Sequence, residues 1–226
     1  QIASLPNIVE RKDLVTANTI MSATWSVMLA LGAAIGGFAA EVFGLKVVFI
    51  LDSLSYVVSA WFIYRVVILS PVFIGTRPSL IKSAHHEIRE GWQFIRNHPA
   101  IQRIATVKAV WAIAGGGLVY MLVLVGGQMN PEHAAASIGA LFAARGIGTA
   151  IGPITARTLF IDEKRWVSVI GVCIAFTGVG YMLVGLLPWS WFILFPVMLA
   201  HIAGGSNWVL STVLLQKRSA DKFRGR

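Results

Sequence analysis

Charge is scarce in this chain. Of its 226 residues, 13% are Asp, Glu, Lys or Arg, against roughly 25% in a soluble domain. That is too little to cover a globule with solvated groups, so a water-soluble domain is excluded. Acidic residues are the scarcest, ten against nineteen basic ones. Cysteine is almost absent. The single Cys173 lies in an apolar run, which excludes a disulfide framework and a cysteine metal cluster. The string Gly-x-x-x-x-Gly-Lys-Ser/Thr, which cradles nucleotide phosphates, does not occur. No spacing of His, Asp or Glu fits a metal site, and no Ser-His-Asp arrangement is legible. The chain therefore reads as a non-enzyme with no cofactor and no metal.

Long apolar runs take the place of these features. The hydrophobic share is 56% and the mean hydropathy +0.72. At about 20 residues per crossing, six spans fit, giving an all-α membrane protein with lipid as a partner. The runs are 20–43, 47–68, 104–127, 134–160, 167–187 and 189–215. Asp13 is placed to cap the first, and Gly44-Leu-Lys46 to turn the chain into the second. The segment 81–96 differs. Ile81, Ile88, Trp92 and Ile95 share one helical face, while Lys82, His85, Arg89, Glu90 and Arg96 fall mostly elsewhere. This pattern predicts an amphipathic helix lying along a membrane surface.

The net charge of +9 is not a nucleic-acid footprint, because the cations cluster in particular connections. One side holds Arg11 and Lys12, then Arg77, Lys82, Arg89 and Arg96, then Lys164 and Arg165, then five cations in the tail; the other side holds only Lys46. This asymmetry predicts that both ends lie in the cytoplasm and places the protein in the cell membrane. Trp25, Trp61, Trp166, Trp189 and Trp191 are expected near span ends or in flanking segments, where indole rings favour the interface.

Small residues recur within two spans. Gly32, Gly36 and Gly37 lie in the first, and Gly148, Gly152 and Pro153 in the fourth. A glycine within a soluble helix costs about 1 kcal/mol relative to alanine. In a membrane, a glycine pair four residues apart lets a second helix backbone approach. Gly32 with Gly36 and Gly148 with Gly152 are therefore expected to face close-packed neighbours, in either a static or a sliding seam.

Five polar residues inside spans are candidates for contact with substrate or a coupling ion. Arg145 lies deep in its span, where a charge needs a partner or water; it reads as a cavity contact or as half of a structural ion pair. Lys108 reads as a cavity cation or as a snorkelling side chain. Asp52 reads as a proton carrier or as a helix-bonding group. His201 is able to switch protonation near neutral pH or to pack through a hydrogen bond. Asn207 reads as a donor to substrate or to a neighbouring helix.

Several stretches carry a resemblance. Gly32-Ala-Ala-Ile-Gly36-Gly37 is similar to the Gly-Pro-x-x-Gly-Gly core in the fifth helix of major facilitator superfamily exporters, with alanine in place of proline. Leu5-Pro-Asn-Ile-Val-Glu, Ala17-Asn18, Phe49-Ile-Leu-Asp52-Ser-Leu-Ser-Tyr56 and Glu90-Gly-Trp-Gln-Phe-Ile-Arg-Asn-His-Pro99 resemble the bacterial branch that includes enterobactin and multidrug exporters. Asp13-Leu-Val-Thr-Ala-Asn18 also aligns weakly with Asp221-Lys-Phe-Arg-Gly-Arg226, about six spans later.

By this resemblance the chain corresponds to helices five to ten of a twelve-helix fold. Four helices of the parent chain would precede Gln1 and two would follow Arg226. Residues 1–68 would end the first bundle, 69–99 form the central cytoplasmic loop, and 100–226 begin the second bundle. Asp221, Arg224 and Arg226 resemble the family's cytoplasmic gate charges. The implied function is a secondary transporter, a proton-coupled exporter of a drug- or siderophore-like small molecule that works by alternating access. The membrane half of an ATP-driven exporter and a non-transporting scaffold are the alternatives.

Overall fold

A computed structural model describes residues 9, 13–65 and 80–219, with the backbone alone for 80–85. Every regular element among them is helical. The long helices are α1 (Leu14–Phe43), α2 (Leu45–Tyr64), α3 (Leu80–Asn97), α4 (Pro99–Met129), α5 (Ala134–Leu159), α6 (Trp166–Leu186) and α7 (Leu194–Arg218). All but α3 are long and apolar enough to cross a membrane. The six expected spans are present, and several reach further than their apolar runs. Polar first turns such as 14–19 continue the helix because nothing in them breaks it. Asp13 precedes α1, but its side chain makes no capping hydrogen bond. Gly44, at φ 78°, makes the turn between α1 and α2. Residues 1–8, 10–12, 66–79 and 220–226 lie outside the description, and with them Arg11, Lys12, Arg77 and the gate candidates Asp221, Arg224 and Arg226.

Helix α5 is the centre of the packing. It runs antiparallel to α1, so that Gly146 meets Ala30 and Gly139 meets Gly37. A Cβ on Gly146 would stand 2.6 Å from Ala30 Cα, and one on Gly139 would stand 2.8 Å from Ala33 O. The expected face of α1 is thereby corrected. A Cβ on Gly32 or Gly36 meets nothing within 4 Å among the described residues. The seam runs along Ala30, Ala33 and Gly37, about 100° around the helix from Gly36. Gly148 and Gly152 do form a seam, with α7. Gly148 abuts Met198 and His201, and Gly152 abuts Ile202 and Ser206. The numbering rises together on both helices, so α5 and α7 run parallel. Ser206 Oγ donates to Gly152 O at 2.8 Å across this contact.

Two apolar clusters sit at opposite ends of the bundle. One joins Leu14, Ile104, Ala156, Trp166, Ile170, Val209, Val213 and Leu214. Cations Lys164, Arg165, Lys217 and Arg218 flank this end, which we call the basic end. Here Lys217 Nζ bonds Glu163 Oε2 at 2.5 Å. The other cluster joins Leu122, Val125, Leu141, Ala144, Val184, Ile193 and Val197. Near that far end, His133 Nδ1 pairs with Glu41 Oε1 at 2.8 Å, linking α1 to the connection before α5.

Helix α2 touches α1 and buries none of its residues, and Asp52 is exposed on it. Helix α3 contacts α4, and its Ile88 and Trp92 are exposed.

Candidate functional site

The segments between the two clusters enclose a cavity of about 870 Å³. Its lining comes from 18–29 in the first half of α1, and from the middle stretches of the others: 111–119 on α4, 145–153 on α5, Thr177 and Tyr181 on α6, and 200–208 on α7. The volume lies within the roughly 300–1,000 Å³ range of small-molecule sites. Small residues make the room, because Ala114, Gly115 and Gly204 present at most a methyl group to the inner surface. Large aromatics then form its walls. Trp25 projects from α1, and Trp111 of α4 stands beside Trp208 of α7 with ring centroids 5.8 Å apart.

Of the five polar candidates, the fold brings two to this space. Arg145 lines it about 17 Å along α5 at 1.5 Å per residue. Its Nε is buried without a hydrogen-bond partner, and its Cζ lies 5.8 Å from the Phe142 ring centroid. His201 lines the cavity from α7. Its Nδ1 lies 2.9 Å from Val197 O, which assigns the ring proton to Nδ1 and leaves Nε2 to accept from the Tyr181 hydroxyl at 3.4 Å.

The other three stand elsewhere. Lys108 does not border the cavity. Its ammonium lies 3.8 Å from the Trp208 ring centroid and donates to Thr212 Oγ1 at 2.7 Å, Ser211 Oγ at 3.2 Å and Trp208 O at 3.5 Å. It is anchored to α7 instead of reaching out to water. Asn207 is 2% exposed, outside the lining, with Oδ1 unpartnered. Asp52 lies on α2, which does not reach the cavity. Periodicity cannot reveal this, since a polar residue in an apolar run looks the same on an inner and an outer helix.

Four contributors were not anticipated as site residues. Trp25, expected near the interface, borders the cavity twelve residues into α1 with most of its surface exposed. Tyr181, Trp208 and Asn18 were not singled out. For Trp208 a signal existed. His201, Gly204 and Trp208 fall three and four residues apart, on one face of α7. The basic end of the cavity is bounded by Asn18, whose Nδ2 donates to Gln216 Oε1 at 2.9 Å. Thr19 Oγ1 donates to Pro153 O at 3.4 Å. This bond holds α1 against α5 beside the intrahelical proline.

A sequence profile of the Major Facilitator Superfamily matches residues 1–226. The chain belongs to that superfamily. Neither the curated proteins nor the solved structures contain a match to it. Major facilitators are secondary transporters and not enzymes, and this one is a multi-pass membrane protein by its six apolar helices.

Proposed function

We propose that this chain forms the middle of a bacterial proton-coupled exporter, helices five to ten, and that the cavity around Arg145 and His201 is its substrate site. The observation that carries this reading is the position of the cavity. It lies at a height between the two apolar clusters, bordered by α1 of the first proposed bundle and by α4 to α7 of the second, and alternating access would open such an interface from one side at a time. The helix numbering rests on the resemblance of the glycine motif in α1 to the family's fifth-helix motif. It agrees with the close crossing of α1 and α5, which would join the two bundles.

The basic end is assigned to the cytoplasm by its Lys and Arg excess, which makes the inner membrane of a bacterial cell the proposed location. Export is proposed from the branch resemblance. Among the cavity's lining groups His201 carries the imidazole, the side chain whose ordinary protonation range lies nearest neutral pH. Coupling is therefore assigned to His201 and not to Asp52. Asp221, Arg224 and Arg226 are retained as proposed cytoplasmic gate charges. The remaining helices of the parent chain would complete the bundles.

The test uses the parent polypeptide in proteoliposomes, loaded with ethidium or 1-anilino-8-naphthalenesulfonate. An imposed pH gradient is expected to drive at least one dye against its gradient, and His201→Ala is expected to uncouple flux from pH. Flux that ignores the pH gradient refutes proton coupling. No protein-dependent flux of either dye refutes the transport reading.

A further inference from the structure

The cavity's charge balance is one-sided. Among the described residues its lining includes the guanidinium of Arg145 and no carboxylate. The six long apolar helices carry only two carboxylates among the described residues, Glu41 and Asp52. Glu41 is engaged by His133 and Asp52 is exposed on α2, so neither is available to Arg145. Lys108 shows what a balanced buried cation looks like here, since three oxygens receive its protons. Arg145 has no such set, and its Nε points to no acceptor among the described residues. A cation held in a low-dielectric space without a counter-ion is costly, and that cost falls when an anion arrives.

We propose that the cavity binds a singly charged amphipathic organic anion, a carboxylate or sulfonate on an aromatic body, with Arg145 as its counter-ion. This deepens the reading of the cavity as a substrate site and rests on it. The planar guanidinium presents paired N–H groups that match two oxygens of one oxyanion. A single fixed cation suits a single negative charge. Trp25, Trp111 and Trp208 offer flat apolar faces for the body of the ligand, and the volume of about 870 Å³ admits a two- or three-ring molecule. The same arrangement disfavours organic cations, which would meet Arg145 with no compensating carboxylate.

The experiment compares two probes of one ring system. 1-Anilino-8-naphthalenesulfonate carries the anion, and N-phenyl-1-naphthylamine lacks it. Saturable binding to the full parent chain in lipid nanodiscs is read by tryptophan-to-naphthyl energy transfer, with empty nanodiscs subtracted. The sulfonate is expected to bind at least tenfold more tightly than the amine. Arg145→Gln is expected to remove that preference and leave binding of the amine unchanged, which also reports that the variant is folded. Arg145→Lys is expected to retain part of the preference.

Equal affinity of the wild-type protein for the two probes overturns the proposal without needing any variant. So does an Arg145→Gln variant that keeps the preference for the sulfonate, or tighter binding of a cationic naphthyl amine. Because this readout is binding, a protein that prefers the anion but moves neither dye would refute transport and leave the anion site standing.

Discussion

The Asn18 amide donates to Gln216 Oε1 at 2.9 Å, across 198 residues of sequence, and both side chains are buried. Asn18 also donates to Leu14 O at 2.8 Å. One amide thus ties the first turns of α1 to the last turns of α7, beside the apolar cluster at the basic end. If the helices separate here during transport, this bond must break with them.

Replacing Asn18 by Ala removes its hydrogen bond to the buried Gln216. The expected loss of stability is about 1–2 kcal/mol by the usual penalty for an unmade buried hydrogen bond, tempered by the smaller values of about 0.6 kcal/mol found between membrane helices. Reversible unfolding in mixed micelles measures it. The double variant with Gln216→Leu is expected to recover part of the loss, because both partners are then apolar. Additive losses would show that the two side chains are not energetically coupled.

The glycine seam makes a contrasting prediction. A methyl at Gly146 would stand 2.6 Å from the Ala30 backbone, so Gly146→Ala must push α1 and α5 apart. Overpacking of this kind costs about 1–3 kcal/mol. Gly32→Ala meets nothing within 4 Å among the described residues and is expected to be neutral, or stabilising by up to about 1 kcal/mol through helix propensity. Melting temperatures of the two variants, side by side, check the assignment of the face. The opposite order would return the seam to Gly32 and Gly36.

Labelling checks that the cavity is wet. Cys173 is buried, so the native background towards membrane-impermeant thiol reagents is expected to be low. A cysteine at Ala114, which lines the cavity, is expected to react. One at Ile113, its neighbour and 78% exposed on the outside of the helices, faces lipid and is expected to be protected in proteoliposomes. Equal reactivity at the two positions would contradict the assignment of inner and outer faces on α4.

The sequence by itself determined that this is a membrane protein with six apolar helices and an amphipathic helix after the second. Runs of twenty or more apolar residues have few other places to go in water or lipid, and their lengths are set by the bilayer. The glycine pair in α5 was legible for the same local reason, since Gly148, Gly152 and Pro153 are small wherever they sit.

The rotation of each helix was not legible. Near-uniform hydrophobicity gives α1 and α2 no polar face that would announce their orientation. The contact face of α1 therefore fell on Ala30, Ala33 and Gly37, away from Gly36, and Asp52 fell outside the cavity. Only the tertiary structure decided which polar residues share a space. Arg145, Tyr181 and His201 come from three helices, and their meeting is fixed by how closely glycines let those helices approach.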